Sequence, residues 1–199
     1  MIPGHLTVRA LQGADLQAAV DDIARLRIAV FRDWPYLYDG TLAYERGYLA
    51  TYLDTPGALL VAAFDGDTLI GASTSTRMED HAGAFGAAFA PTGIALSDVV
   101  YGPESVVLPP YRGLGLGHRF FELREAHARQ MGRNYVAFAS LQRAGTAHPA
   151  RPAAFRTNDA FWTAQGYAPL PGVVAEFGWK DLGSQVETVK PLQFWMRRL

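Results

Sequence analysis

The residues of this chain best suited to chemistry lie in one glycine-rich stretch, Arg112 to His118, with glycine at positions 113, 115 and 117. An apolar β-branched run precedes the stretch, and Leu116, Phe120 and Leu123 recur after it at helical spacing. The sequence therefore predicts a strand, a tight turn and a helix. The first N–H groups of a helix have no partner within it, and glycine leaves no Cβ atom to hold an anion away. The turn is therefore predicted to bind phosphate, with Arg112 as a fixed positive charge beside it.

Two familiar phosphate-binding motifs do not fit this turn. The dinucleotide fingerprint G-x-G-x-x-G fails because, counted from Gly113, its third glycine position is His118. The P-loop pattern fails because neither a lysine nor a hydroxyl residue follows Gly117. The remaining alternative is a glycine turn without chemical consequence, and the agreement of strand, arginine and helix argues against it.

The stretch does fit the pattern Q/R-x-x-G-x-G/A, as R-G-L-G-L-G at positions 112–117, preceded by an apolar strand and P-x-Y. It resembles motif A of the GNAT superfamily of N-acetyltransferases. The segment F-W-T-A-Q-G-Y at 161–167 is similar to the L-Y-x-K-L-G-F ending of that family. The predicted element order β-α-α-β-β-β-α-β-α-β-β is that of the GNAT fold. The resemblance thus covers nearly the whole chain, and residues 1–199 are expected to form one domain.

The resemblance implies an α+β fold with a central, mixed and mostly antiparallel sheet of about seven strands flanked by helices. It also implies acetyl-CoA as co-substrate, with its pyrophosphate on the glycine turn. The strand from Val100 to Leu108 is expected to carry a bulge and to splay from the strand at Tyr135–Leu141, which leaves a gap for the pantetheine arm. The cofactor-binding residues are expected to be Val106, Val107, Leu108, Arg112, Gly113, Leu114, Gly115, Leu116, Gly117, His118 and Trp162.

Acyl transfer from a thioester to an amine needs a donor for the oxyanion and an acceptor for the proton of the incoming ammonium. The resemblance gives the first role to the backbone N–H of Val106 and the second to Glu104. The competing interpretation of Glu104 is a strand-edge carboxylate in an ordinary ion pair. Four other residues flank a long connection and compete for the role of base: Glu79, Asp80, His81 and Asp98.

The general acid of the family is frequently a tyrosine four residues before the glycine of the L-G-F-like ending, and here that position is Trp162. Indole has no phenolic proton to donate. Three alternatives stay open: the thiolate leaves unassisted, Tyr167 or Tyr38 replaces the acid, or the protein binds coenzyme A without turnover.

The predicted function is direct transfer of an acetyl group, in a ternary complex, to a primary amine of a small molecule or peptide. The first alternative is a catalytically weak CoA-binding module of the same fold. A different nucleotide-phosphate binder, such as an oxidoreductase, is the third hypothesis.

The first two helices and their connector wall the acceptor pocket in the fold that this chain resembles. The sequence predicts a helix capped by Asp15 and a second one from Thr41 to Leu53. Tyr36 and Tyr38 in the connector and Tyr44 on the second helix are the candidates for substrate contact.

Tyrosines at 44, 48 and 52 follow one another at i, i+4 and i+8, a spacing that also fits an amphipathic edge with phenol groups at its rim.

A long connection between Met78 and Val99 is rich in Ala, Gly and Phe. Connections of this length inside a domain usually contain a helix or a functional loop. We expect a short helix at 82–89, either as a lid over the acceptor site or as additional core. A second loop is predicted from Gln142 to Phe155.

The composition excludes several other classes of function. A net charge of −1 argues against an electrostatic nucleic-acid surface, and the absence of cysteine removes disulfides, thiolate nucleophiles and thiolate zinc sites. His118 and His127 are too far apart on a helix to form a metal pair, so no metal is expected.

No signal peptide or membrane span is evident, which predicts a cytoplasmic protein. The final strands could support a homodimer.

Overall fold

The core of the computed structural model, which describes residues 2–143 and 148–199, is one mixed β-sheet of eight strands. The strands are β1 (Leu6–Leu11), β2 (Leu59–Asp65), β3 (Thr68–Arg77), β4 (Val99–Tyr101), β5 (Ser105–Val107), β6 (Tyr135–Leu141), β7 (Ala168–Lys180) and β8 (Glu187–Arg198). Their spatial order is β1-β2-β3-β4-β6-β8-β7, and β5 pairs with β3 outside this path. The β4–β6 pair is parallel and the other pairs are antiparallel.

Helices cover both faces of the sheet. They are α1 (Gly13–Phe31), α2 (Leu42–Asp54), α3 (Ala82–Phe89), α4 (Leu116–Gln130) and α5 (Asp159–Ala164). Buried residues of α1, α2 and α3 pack on one face of the sheet, and those of α4, together with half-buried aromatic residues of α5, pack on the other. No helix in the described ranges is both long enough and apolar enough to span a membrane.

The helix starts show where local sequence rules succeed and where they fail. Thr41 caps α2, and its hydroxyl accepts from the Tyr44 N–H at 3.3 Å, so that predicted start is confirmed. The predicted cap at Asp15 is wrong, because α1 already begins at Gly13. The Asp15 carboxylate instead forms an exposed ion pair with Arg9 at 2.9 Å.

The predicted single strand from Val100 to Leu108 is wrong, because it is divided into β4 and β5. This division raises the sheet from the expected seven or so strands to eight. The Gly102 N–H donates to the Ala137 carbonyl at 2.8 Å, and beyond Ala137 the strand β6 pairs only with β8. The predicted splay between these strands is therefore present, and it opens directly after Gly102.

The predicted helix at 82–89 is confirmed as α3, and the structure decides its role in favour of core. Phe85 and Phe89 are 2% and 1% exposed and pack against Phe194 at ring separations of 5.1 and 4.8 Å. A helix so anchored is part of the folded core. The predicted loop at 142–155 includes residues 144–147, which lie outside the described ranges.

Replacing Phe85 by alanine distinguishes a core helix from a lid. Removal of a fully buried phenylalanine side chain is expected to lower the free energy of unfolding by about 3–5 kcal/mol. Urea denaturation of Phe85→Ala measures this change, with Tyr44→Ala as control because Tyr44 is 64% exposed. Equal stability of the two variants would contradict the assignment of α3 to the core.

Candidate functional site

The glycine turn connects β5 to α4 through backbone conformations that only glycine adopts at little cost. Gly113 and Gly115 have φ values of +79° and +87°, and Gly115 is the N-cap of α4. A side chain at either position would strain the backbone in this left-handed region. The turn therefore depends on glycine at these two positions.

This turn presents an uninterrupted row of free backbone donors. The Arg112 N–H donates to the Pro109 carbonyl, and the next bonded N–H is that of Arg119, which donates to Gly115. None of the six N–H groups at 113–118 donates a hydrogen bond to an acceptor among the described residues. A Cβ atom built on Gly113 would meet nothing within 4 Å, so the space beside this part of the row is open. Such a row at the positive end of a helix dipole is suited to an anion.

Arg112 lies beside the row of donors. Its side chain is exposed, and its Nε donates to the Val107 carbonyl at 3.1 Å. The guanidinium therefore reaches back to the end of β5 and places a positive charge between the turn and the gap.

Helix α5 forms a second wall next to the turn. The exposed His118 side chain contacts Gln165 at 2.8 Å between Nδ1 and Nε2, and its ring is 5.1 Å from that of Phe161. Trp162 is half-buried, with ring centroids 5.0 Å from Phe138 and 5.1 Å from Trp195. His118 and Trp162, two of the predicted cofactor-binding residues, thus lie on the face of the sheet that carries α4.

The register of β5 corrects one predicted role. Val106 lies directly opposite Ala72 of β3, and the Leu108 N–H, two residues further on, donates to a β3 carbonyl at 2.9 Å. Because backbone groups alternate in direction along a strand, the Val106 N–H also faces β3. The expectation that it donates to an oxyanion is wrong. The N–H groups of Ser105 and Val107 face the gap instead.

Glu104, the predicted base, belongs to a buried ion network on the opposite face of the sheet. Its Oε2 is 2.6 Å from Arg27 Nη1, and the same guanidinium donates through Nε to Glu45 at 2.5 Å. Tyr48 and Thr74 hydroxyls donate to Glu104 at 2.9 and 2.7 Å. Two buried carboxylates therefore share one buried guanidinium, which leaves one negative charge without a described ion-pair partner.

Four tyrosines, of which Tyr52 and Tyr101 are buried and Tyr36 and Tyr48 half-buried, lie close enough to feel this negative charge. Burial, followed by the charge of Glu104, raises the pKa of Tyr36 to about 12 and shifts the pKa values of Tyr48 and Tyr52 upward. Burial, Tyr52 and Glu104 together raise the pKa of Tyr101. All four phenols are therefore neutral near pH 7, and they can donate hydrogen bonds but cannot accept the proton of an ammonium.

The predicted acceptor residues separate into two groups. Tyr36 joins the phenols around Glu104, and the Tyr38 hydroxyl donates to Glu45 at 2.9 Å. Tyr44 is 64% exposed on the outer side of α2 and does not reach the network. The spacing of Tyr48 and Tyr52 fits a polar rim, but in the structure their hydroxyls are 2.7 Å apart and Tyr48 donates to Glu104. Their i, i+4 spacing is the signal that could have identified this contact.

The competing base candidates are mostly committed to other partners. Glu79 pairs with Arg133 at 2.7 Å and Asp80 with Arg77 at 2.8 Å. His81 contacts Thr76 at 2.8 Å, and its ring centroid is 5.1 Å from that of Tyr101. Burial lowers the pKa of His81, so its imidazole is neutral near pH 7.

The two phenols considered as substitutes for the general acid are also engaged. Tyr38 donates to Glu45, and the buried Tyr167 hydroxyl donates to Glu125 at 3.2 Å on the α4 face. The described residues contain no group of three His, Asp or Glu side chains arranged to hold a metal ion.

One buried residue at the gap was missed by sequence analysis. Arg124 is 2% exposed and lies in the inner face of α4, in the series Leu116, Phe120, Arg124 and Ala128. Its Nη2 donates to the Ser73 and Ser105 hydroxyls and to the Glu104 carbonyl. A charged residue at a position that helical spacing assigns to the core is the signal that could have identified it.

Comparison with solved structures identifies the architecture. A ribosomal-protein-alanine N-acetyltransferase from Brucella melitensis is 14% identical, with a TM-score of 0.62, and the match covers 97% of this chain and 99% of that one. An acetyltransferase of the GNAT family from Streptococcus pneumoniae is 12% identical, with a TM-score of 0.58 and coverage of 98% and 99%.

An aminoglycoside 6'-N-acetyltransferase complexed with coenzyme A is 14% identical, with a TM-score of 0.59 and coverage of 96% of each chain. The sequence matches no protein-family model and no curated protein. At these identities the likeness establishes the fold. The chain has the GNAT acyl-CoA N-acyltransferase fold, which confirms the predicted fold class.

Replacement of Arg27 by methionine tests the ion network. Removing the shared guanidinium leaves two buried carboxylates uncompensated and is expected to cost about 3–5 kcal/mol of stability. Arg9→Met is the matched control, because the Arg9–Asp15 pair is exposed and should contribute at most about 1 kcal/mol. Denaturant unfolding measures both changes, and a loss for Arg27→Met no greater than that of the control would contradict the network.

Proposed function

We propose that this chain is an acetyl-CoA-dependent N-acetyltransferase that acts on a primary amine of a small molecule or peptide. The observation that carries the proposal is the row of six N–H groups at 113–118 that have no acceptor among the described residues, next to a sheet that splits after Gly102. The row suits a diphosphate, and the split suits an extended arm with amide groups. Acetyl-CoA contains both features and carries a thioester at the end of the arm.

The pyrophosphate is proposed to bind the turn through the backbone of Gly113 to His118. Charge-assisted hydrogen bonds from backbone N–H groups are shorter and stronger than neutral ones. Leu116 is buried, so it contributes its N–H while its side chain anchors the turn in the core. Arg112 adds a positive charge, and Trp162 and His118 lie on the side where the rest of the coenzyme would extend.

The pantetheine arm is proposed to occupy the gap between β5 and β6. Ser105 and Val107 direct their N–H groups into this gap. Ser105 is nearer to the point where the strands separate, and its N–H is proposed as the oxyanion donor in place of Val106. One such donor typically contributes about 3–4 kcal/mol to stabilisation of a transition state.

The acceptor amine is proposed to approach from the face of the sheet covered by α1, α2 and α3. The unbalanced negative charge of the Arg27–Glu45–Glu104 network attracts an ammonium, and the phenols around it can hydrogen-bond to the acceptor. Glu104 is proposed to accept the ammonium proton. The free amine then attacks the thioester carbon and a C–N bond forms. The C–S bond breaks with its electron pair on sulfur, and the new amide nitrogen releases its second proton to solvent.

Two structural neighbours support nitrogen as the acceptor atom but do not select one amine. The Brucella melitensis protein is a ribosomal-protein-alanine N-acetyltransferase, and another neighbour is an aminoglycoside 6'-N-acetyltransferase. The aromatic surroundings of the network, which include Tyr36 packed against Phe31 and Trp179, favour an amine with an apolar body.

Thermal unfolding with acetyl-CoA, CoA, NAD and ATP tests cofactor choice. A ligand that binds only the folded state raises its stability by about 2.7 kcal/mol at a hundredfold excess over Kd. Acetyl-CoA and CoA are expected to raise the midpoint, and NAD alone doing so would favour an oxidoreductase.

Release of free thiol over a panel of amines then distinguishes an enzyme from a binding module. At least one amine should exceed background hydrolysis, with kcat about a hundredfold lower or more in Glu104→Gln if Glu104 is the base. Tight CoA binding without turnover for any amine would favour the module.

A pair of alanine substitutions isolates the diphosphate site. Gly113 and Gly132 both have positive φ, +79° and +68°, and a Cβ atom on either would meet nothing within 4 Å. Each substitution should therefore cost about 1–2 kcal/mol of stability through the left-handed backbone. Only Gly113→Ala places a methyl group at the phosphate row. Calorimetry is expected to show at least tenfold weaker CoA binding for Gly113→Ala than for Gly132→Ala, and equal affinities would contradict a diphosphate at the turn.

A further inference from the structure

Arg124 carries a buried positive charge that no described ion pair neutralises. Its Nη2 makes three hydrogen bonds, all to uncharged oxygen atoms: the Ser73 and Ser105 hydroxyls at 2.7 Å and the Glu104 carbonyl at 3.1 Å. Its Nε is buried and has no acceptor among the described residues. Burial of a charge without an oppositely charged partner opposes folding. A buried guanidinium at position 124 is therefore a candidate for a functional role.

The charged groups around Arg124 are engaged elsewhere. The Glu104 carboxylate is held by Arg27 on the other face of the sheet. Glu125 binds Arg197 at 2.9 Å and accepts from Tyr167. Burial lowers the pKa of Arg124, while Tyr167, Glu104, Glu125 and Tyr101 oppose that shift from a distance, and a guanidinium remains charged in proteins.

The guanidinium lies at the point where the sheet divides. A Cβ atom built on Gly102 would be 2.5 Å from Arg124 Cζ, so the charge rests directly on the backbone of Gly102. That residue makes the last hydrogen bond between this strand segment and β6, to Ala137 at 2.8 Å. Arg124 also binds the Glu104 carbonyl and the Ser105 hydroxyl, two and three residues past Gly102. It therefore fixes the apex of the gap and supplies a positive charge there.

We propose that Arg124 stabilises the thiolate of departing coenzyme A electrostatically, so that the C–S bond breaks without a phenol as proton donor. The inference rests on the proposed function, which places the thioester at the apex of the gap. The electron pair of the C–S bond stays on sulfur, no proton is transferred to sulfur in this step, and the thiolate takes a proton from solvent after release. The role fits a site in which Trp162 offers no acidic proton and Tyr167 is bound to Glu125.

The pKa of the CoA thiol in the complex measures this effect directly. The chain contains no cysteine, so the ultraviolet absorbance of a thiolate reports on CoA alone. The complex with acetyl-CoA has no free thiol and gives the baseline for tyrosine ionisation. A cation close to the sulfur is expected to lower the thiol pKa by about 1–3 units relative to free CoA. An unshifted pKa in the wild-type complex would overturn the proposal, whatever any variant shows.

Variants of Arg124 distinguish an electrostatic effect of its charge on the thiolate from a structural role of its side chain. Arg124→Met keeps the volume but removes the charge, and it is expected to lose most of the thiol shift, with kcat falling up to about tenfold per unit lost. Arg124→Lys should retain most of the shift. Ser73→Ala is the matched control, because it removes a hydrogen-bond partner of Arg124 and leaves the charge in place. A shift that disappears equally in Ser73→Ala would assign Arg124 a structural role only.

The same titration distinguishes failure of the proposed function from failure of the proposed role of Arg124. Failure of CoA to bind the wild-type protein would overturn the proposed function and this inference together. Binding of CoA with an unshifted thiol, and with turnover intact, would overturn the inference alone.

Discussion

The site depends on where hydrogen bonding between β4 and β6 stops. The Gly102–Ala137 bond is the last one, and past it the backbone groups of Ser105 and Val107 have no strand to pair with. Unpaired backbone groups inside a sheet are costly unless water or a ligand satisfies them. The division of one strand into β4 and β5 therefore creates both the gap and the donors that line it, and the glycine turn follows directly from its end.

Glu104 links the two faces of the sheet at this division. Its carboxylate is bound by Arg27 below α1, while its carbonyl is bound by Arg124 below α4. Glu104 thus has one guanidinium on each face of the sheet. In the proposed complex the acceptor amine would approach from the face with Arg27, and the coenzyme would lie on the face with Arg124. The ion network at Arg27 has one more carboxylate than guanidinium, and the Arg124 guanidinium has no carboxylate partner among the described residues. That asymmetry suits an ammonium on the first face and an anionic leaving group on the second.

The core packing explains how such charges are tolerated. Arg124 and Glu125 are the two charged residues on the buried face of α4, and Gly102 provides the space in which the Arg124 guanidinium fits. Arg27 lies 4.2 Å from the centre of the Tyr48 ring, which adds a cation–π contact to its two carboxylates. Helix α3, through Phe85 and Phe89, completes the wall on the same face. Each buried charge is therefore surrounded by fixed dipoles or aromatic faces.

The amino-acid sequence by itself determined the features that depend on local chemistry. Positive φ at Gly113 and Gly115, free N–H groups at a helix start, the cap at Thr41 and the helix at 82–89 follow from neighbouring residues, as does the order of elements that indicates the fold. Only the tertiary structure decided which N–H groups of β5 face the gap, that Arg27 binds Glu104, and that Arg124 lies under Gly102. Strand register and buried ion pairs join residues far apart in the chain, and their energy comes from excluding water between them, which no local pattern encodes.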